Sequence, residues 1–230
     1  MYYNNYSQRK HDVMLESPYG LLEGVFYQVK NLQDKLALIL PPDPNHKGTM
    51  NNKIVNMLFN AFESNGFTTL KINYRGVGKS QGRSLNNEDK ITDALISLDW
   101  LIKKCESNEI PHPQICLAGF SLGGWIALQS AMRRPEIDNF ITINTLLDPS
   151  SFNMLTPCPS GLIVQAEKDV ISKADIAKRF HSQLISQKGC VIDYKIIDDD
   201  HYFSNQFDDL KTKINMYIKS ISFKTSKNLF

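Results

Sequence analysis

The chain has 230 residues, 42% of them hydrophobic and 22% charged, and 26 Lys plus Arg against 24 Asp plus Glu give a formal net charge of +2. That composition excludes a disordered, collagen-like or disulfide-stapled chain, and the near-balance of charge argues against nucleic acid, which draws a basic excess. The four cysteines (Cys105, Cys116, Cys158, Cys190) have no CxxC or metal-ligand spacing and read as reduced thiols of a cytoplasmic protein, Cys116 as a small core hydrophobe.

The polar, aromatic start Met1–Tyr6 lacks the apolar stretch of a signal peptide. No run of about 20 apolar residues predicts a membrane span. With no repeat and no Gly/Ser/Pro linker, one domain over 1–230 is expected, with 1–11 and 221–230 as loosely held ends. A homodimer is compatible with this composition.

From Val13 to Val29, short apolar runs flank Ser17-Pro18-Tyr19-Gly20, which predicts an antiparallel hairpin. Leu36–Leu40 is a continuous apolar run stopped by Pro41-Pro42, as in a strand buried on both faces. Ile54, Met57, Leu58, Ala61 and Phe62 recur at helical spacing before Gly66. Leu70, Ile72 and Tyr74 alternate as in a strand, and Ile91, Leu95, Leu98 and Ile102 mark a helix. A strand at Ile115–Ala118 precedes a helix from Leu122 to Met132. Strands follow at Phe140–Ile143 and Leu162–Ala166, a helix at Ile176, Phe180 and Leu184, a strand at Val191–Ile197, and a last helix at Leu210, Ile214, Tyr217 and Ile218. Strand and helix in alternation predict an α/β fold: a mostly parallel sheet with an antiparallel beginning and helices on both faces. Sites in such sheets gather beyond the carboxyl ends of the strands.

The loop after Ile115–Ala118 reads Gly119-Phe120-Ser121-Leu122-Gly123-Gly124, a GxSxG between a strand and a helix. A sharp strand-to-helix turn holds a serine above the sheet and crowds the residues two places away, hence the glycines. Ser121 is the candidate nucleophile, and the Leu122 amide at the helix N-terminus is a candidate oxyanion donor. A hydroxyl needs a base. Of His11, His46, His112, His181 and His201, only His201 follows a late strand, in Asp198-Asp199-Asp200-His201-Tyr202-Phe203. Asp169, after Leu162–Ala166, completes the order Ser…Asp…His, with Glu167 as its competitor. The acidic run 198–200 reads as a solvated turn without the alternation of a metal loop.

These stretches resemble the α/β-hydrolase superfamily, and within it the small lidless bacterial hydrolases. The resemblance rests on Leu22-Glu23-Gly24, Gly48-Thr49-Met50-Asn51-Asn52-Lys53, Asn73-Tyr74-Arg75-Gly76-Val77-Gly78-Lys79-Ser80-Gln81-Gly82, Leu98-Asp99-Trp100-Leu101, the elbow and Asp200-His201-Tyr202-Phe203. It implies a central sheet of about eight strands without a large cap. It also implies a serine hydrolase, with no cofactor or metal, acting on a small-molecule ester or related acyl substrate. A second oxyanion donor would be the backbone N–H of Asp43. The family's His-Pro-His-Pro stretch is here Pro41-Pro42-Asp43-Pro44, and Pro42 and Pro44 have no N–H to offer. The altered loop motivates an alternative, a catalytically weakened binding or scaffold protein.

Thr145 to Ser160 is too short for a helical cap of several elements. Phe120, Leu122, Trp125, Leu146, Leu147 and Tyr202 are candidates for lining an open site, with core packing as the competing reading. Gly78-Lys79-Ser80 imitates a phosphate loop, but Asn73 stands where that motif needs glycine and Gln81-Gly82 continues a loop where it needs a helix.

Overall fold

The computed structural model describes residues 10–29, 34–105, 112–147, 158–187 and 189–224. Strands β1 (His11–Leu15) and β2 (Leu22–Tyr27) form the expected hairpin, and its turn is closed by the Gly20 N–H donating to the Ser17 carbonyl at 3.2 Å. The other strands are β3 (Lys35–Leu40), β4 (Thr68–Ile72), β5 (Gln114–Phe120), β6 (Asn139–Ile143), β7 (Ser160–Ala166) and β8 (Ile192–Ile197). They form one eight-stranded sheet in the order β1-β2-β4-β3-β5-β6-β7-β8. The pairings β1/β2 and β2/β4 are antiparallel and the rest are parallel.

This order contains the feature that positions the site. From β3 the chain steps outward to β4, then returns past β3 to β5 and proceeds the other way. The switch point therefore lies between β3 and β5, where a crevice opens at the carboxyl edge of a parallel sheet.

Helices α1 (Lys53–Ser64) and α5 (Phe207–Lys224) pack on one face, in a core that includes Leu58, Phe62, Ile141, Leu210 and Ile214. Helices α2 (Asn87–Cys105) and α3 (Leu122–Ala131) pack on the other, around Leu38, Ile91, Leu98, Leu117 and Ile126. There α4 (Ala174–Leu184) covers β7 and β8 through Phe180 and Leu184. The Asn52 side chain caps α1 by accepting from the Ile54 N–H at 2.8 Å. Gly66, at φ +79°, supplies the left-handed turn that ends this helix segment.

One strand departs from its sequence pattern. Leu70 and Ile72 alternate with polar residues, yet all five positions of β4 are buried. Lys71 is covered by α1, and its ammonium donates to the Met50 carbonyl at 3.0 Å and to Asn56 Oδ1 at 2.6 Å. Tyr74 lies beyond the strand and is fully buried.

Of the ends expected to be loose, residues 1–9 and 225–230 lie outside the described residues; His11 opens β1 and Ile221 is buried on α5. In the Thr145–Ser160 connection, 148–157 likewise lie outside. Among the described residues no helix is long and apolar enough to cross a membrane.

Candidate active site

Strand β5 ends at Phe120 and α3 begins at Leu122, so Ser121 alone makes the turn, at φ 54° and ψ −120°. Such a conformation is costly for a residue with a Cβ and persists only where its surroundings enforce it. Here the Ser121 N–H donates to the Ile143 carbonyl at 2.9 Å, and the Ser121 carbonyl accepts from Gly124 at 3.0 Å and Leu146 at 3.2 Å. A Cβ on Gly119 would meet the Gly123 backbone at 2.2 Å, which is the crowding the glycines relieve.

Gly123 also brings two loops together. A Cβ there would lie 2.3 Å from the Leu40 carbonyl oxygen and 2.5 Å from that of Pro41, so α3 begins against the loop that follows β3. Asp43 stands in that loop at φ −62°. Its carboxylate turns onto its own 3-10 turn, Pro44–His46, accepting from the Asn45 N–H at 3.0 Å and lying 3.3 Å from His46 Nδ1. Among the described residues, no protein acceptor takes the Leu122 N–H or the Asp43 N–H.

His201 and Asp169 meet from the ends of neighbouring strands. His201 Nδ1 is 2.7 Å from Asp169 Oδ2, and both side chains are buried. The other carboxylate oxygen accepts from the Ile171 and Ser172 N–H groups, each at 2.8 Å, so both oxygens are held. Glu167, the competing carboxylate, is exposed. The imidazole packs near Phe120, with ring centroids 5.0 Å apart, and meets Tyr202 edge-on at 5.1 Å.

Sequence reasoning passed over Asn144, the residue that connects these pieces. It follows β6, is fully buried and sits at φ 43°. Its Nδ2 donates to the His201 carbonyl at 2.8 Å and its Oδ1 accepts from the Ala166 N–H at 2.7 Å. One amide thus ties the ends of β6 and β7 to the histidine loop. An asparagine one place past a strand is the sole signal in the sequence, and many loops share it.

The acidic run is not a uniformly solvated turn. Asp198 pairs with Lys168 at the surface, at 2.6 Å. Asp199 is buried, accepts from the backbone N–H groups of Asp200, Asn205 and Gln206, and so braces the turn into α5. Burial pushes its carboxyl up, but the Gln206, Asp200 and Asn205 donors outweigh this and hold it below the usual carboxylate range. Asp200 accepts from Tyr202 and Ser204. Among the described residues no group of three or more His, Cys, Asp or Glu is disposed to hold a metal ion.

The candidate lining residues divide. Phe120 and Leu122 are buried, Phe120 beside the His201 ring, and Trp125 is partly buried against the α2–α3 core. Leu147 packs against the α4 core. Leu146 and Tyr202 are 37% and 57% exposed. Val170 and Ile171, which the sequence did not single out, add exposed apolar surface next to Asp169.

The imitation phosphate loop is braced rather than open. The Ser80 hydroxyl donates to the Asn73 carbonyl at 2.9 Å and accepts from the Glu23 N–H at 2.9 Å, while Glu23 Oε2 accepts from Asn73 and Lys79. Arg75 grips buried Asp93 through Nε at 2.7 Å and Nη2 at 2.6 Å, and no helix begins at Lys79-Ser80.

Strand order, switch point and elbow are together those of the α/β hydrolases. More narrowly, the chain belongs to the family described as serine aminopeptidase, S33 (Hydrolase_4), whose model matches residues 46–160. It is 37% identical to uncharacterized protein RP471 of Rickettsia prowazekii, over 91% of this chain and 89% of that one. Among solved structures, it is similar to ATU1826 of Agrobacterium tumefaciens, described as a protein of unknown function (35% identity, TM-score 0.83, covering 90% and 94% of the two chains). An alpha-beta serine hydrolase homologue from Coxiella burnetii shares 28% identity at TM-score 0.79, covering 93% and 99%. XC6422 of Xanthomonas campestris, described as a serine hydrolase without a lid, shares the fold at 22% identity and TM-score 0.77, covering 94% and 96%.

Proposed function

We propose that the chain is a serine hydrolase that cleaves a small ester or related acyl compound through Ser121, His201 and Asp169. The observation that carries this reading is the His201–Asp169 hydrogen bond of 2.7 Å, at the same sheet edge as the strained Ser121 turn. The likeness to the Coxiella serine hydrolase homologue supports it.

Ser121 Oγ attacks the acyl carbonyl while His201 Nε2 takes its proton. Asp169, bonded to Nδ1, fixes the tautomer and stabilises the imidazolium. The Leu122 and Asp43 N–H groups receive the oxyanion. His201 then protonates the leaving group. Water, deprotonated by the same imidazole, attacks the acyl-enzyme, releases the acid and restores the serine. The chemistry draws on side chains, backbone amides and water alone.

The test is covalent labelling of Ser121 by a fluorophosphonate, with turnover of p-nitrophenyl acetate. Ser121→Ala is expected to abolish labelling and to lower turnover by about 10⁴-fold or more. A folded wild-type chain that neither labels nor gives an acyl-enzyme burst would overturn the proposal in favour of a binding protein on a hydrolase fold.

A further inference from the structure

Two cysteines meet at the amino edge of the sheet, at the opposite end of β7 from Asp169. Cys158 stands two residues before β7 and Cys190 two residues before β8, and Gly161 pairs with Ile192 across these strands. Two further bonds lock the strand entries together: the Gly161 N–H donates to the Val191 carbonyl, and the Val191 N–H to Ser160 Oγ, each at 3.0 Å. Gln187 holds both cysteines. Its side-chain oxygen accepts from the Cys158 N–H at 3.2 Å, and its carbonyl lies 3.7 Å from the Cys190 sulfur. Both cysteine side chains belong to the apolar cluster under α4, Cys158 within it and Cys190 packed against it. Extended back, the β7/β8 register sets Cys190 opposite Pro159, one place off Cys158; with strands about 4.8 Å apart and a rise of about 3.3 Å per residue, the two Cα atoms lie about 6 Å apart, within the separation of about 4.4–6.8 Å that a disulfide spans.

The two sulfurs differ in access. Cys158 is 8% exposed, and burial together with the neighbouring Cys190 pushes its thiol up to about 12. Cys190 is half-buried, so an oxidant from solvent meets it first. The other two thiols stand apart from this pair: Cys105 ends α2, packed on the α2–α3 core, and Cys116 is fully buried in β5.

We propose that Cys158 and Cys190 form a dithiol that closes reversibly to an intramolecular disulfide on exposure to a hydroperoxide. The Cys190 sulfur attacks the peroxide O–O bond and becomes a sulfenic acid, releasing an alcohol, or water when the oxidant is hydrogen peroxide. The Cys158 sulfur then attacks that sulfenyl sulfur. The S–S bond forms, the S–O bond breaks, and hydroxide leaves with the Cys158 proton as water. Two electrons pass from the thiol pair to the peroxide, and a dithiol reductant reverses the change. The bridge closes the loop from 158 to 190, which removes freedom from the unfolded chain. It lies a strand's length from Asp169 and leaves the acyl chemistry untouched.

The experiment uses the full wild-type chain treated with hydrogen peroxide, capped with iodoacetamide and digested without reduction. The expected result is a peptide pair linked through Cys158 and Cys190, with Cys105 and Cys116 recovered alkylated. Dithiothreitol should restore all four thiols, and Tm should rise by several degrees in the oxidised form. In Cys158→Ser the reaction should halt at a Cys190 sulfenic acid, trapped by dimedone. Recovery of Cys158 and Cys190 as separately capped or over-oxidised residues overturns the proposal, as does a bridge to Cys105 or Cys116. Ser121 labelling, measured on the same samples, reports on the hydrolase reading independently.

Discussion

His201 Nδ1 and Asp169 Oδ2, on residues 32 apart in sequence, lie 2.7 Å apart at the carboxyl ends of adjacent parallel strands. The backbone N–H groups of Ile171 and Ser172 occupy the remaining carboxylate oxygen, so its orientation toward the imidazole is fixed. Replacing Asp169 by Asn presents a donor where the imidazole N–H needs an acceptor. Asp169→Asn is expected to lower kcat on p-nitrophenyl acetate by about 10⁴-fold. Glu167→Gln, at an exposed position, should leave kcat within about twofold, and steady-state kinetics of the two variants checks the assignment.

Asp43 offers a test of the proposed oxyanion donor that leaves the backbone path intact. Its φ of −62° is already that of proline. Asp43→Pro therefore removes the N–H without forcing a new conformation, whereas Asp43→Asn keeps it. The first is expected to reduce kcat by about 10²–10³-fold and the second to leave it close to wild type. Circular dichroism of both variants reports whether the fold is retained.

Asn144 couples stability to activity. In Asn144→Ala the His201 carbonyl and the Ala166 N–H lose their buried partners, and each such loss costs about 1–3 kcal/mol. A fall in the urea midpoint is expected, together with a drop in kcat as the histidine loop loosens. Urea unfolding and kinetics on one preparation measure both.

Lys71 gives a pH-dependent prediction. Burial, reinforced by nearby Lys10, brings its ammonium down to about 8. The folded chain thus releases this proton at lower pH than the unfolded chain, whose lysine titrates near 10.5. Between about pH 8 and 10.5 the unfolded state binds more protons, so this residue's contribution to stability rises with pH in that window and is flat outside it. The difference in unfolding free energy, wild type minus Lys71→Met, is expected to grow from pH 8 to 10. Urea titrations at several pH values measure it, and a constant difference counts against the assignment.

The Arg75–Asp93 pair accounts for the stretch that imitates a phosphate loop. Arg75→Met leaves the Asp93 carboxylate buried and uncompensated, at a cost of about 3–5 kcal/mol. Lys79→Met, at an exposed position, should change stability by less than about 0.5 kcal/mol. Magnesium ATP should not shift Tm.

Periodicity alone determined much of this protein. Continuous apolar runs such as Leu36–Leu40 and the helical spacing at Ile54–Phe62 mark elements whose period is dictated by local geometry. The GxSxG is legible because the steric demand of its turn is local too: Gly119 and Gly123 must lack side chains when Ser121 bends the chain. Tertiary structure decided the rest. Between Glu167 and Asp169, burial and the fixed N–H donors of Ile171 and Ser172 single out one carboxylate. The burial of Lys71, the bracing by Asn144 and the juxtaposition of Cys158 with Cys190 each depend on strand order. Hydrogen bonds between residues 20 to 60 apart leave no period in the sequence, because only the closed sheet brings their partners within 3 Å.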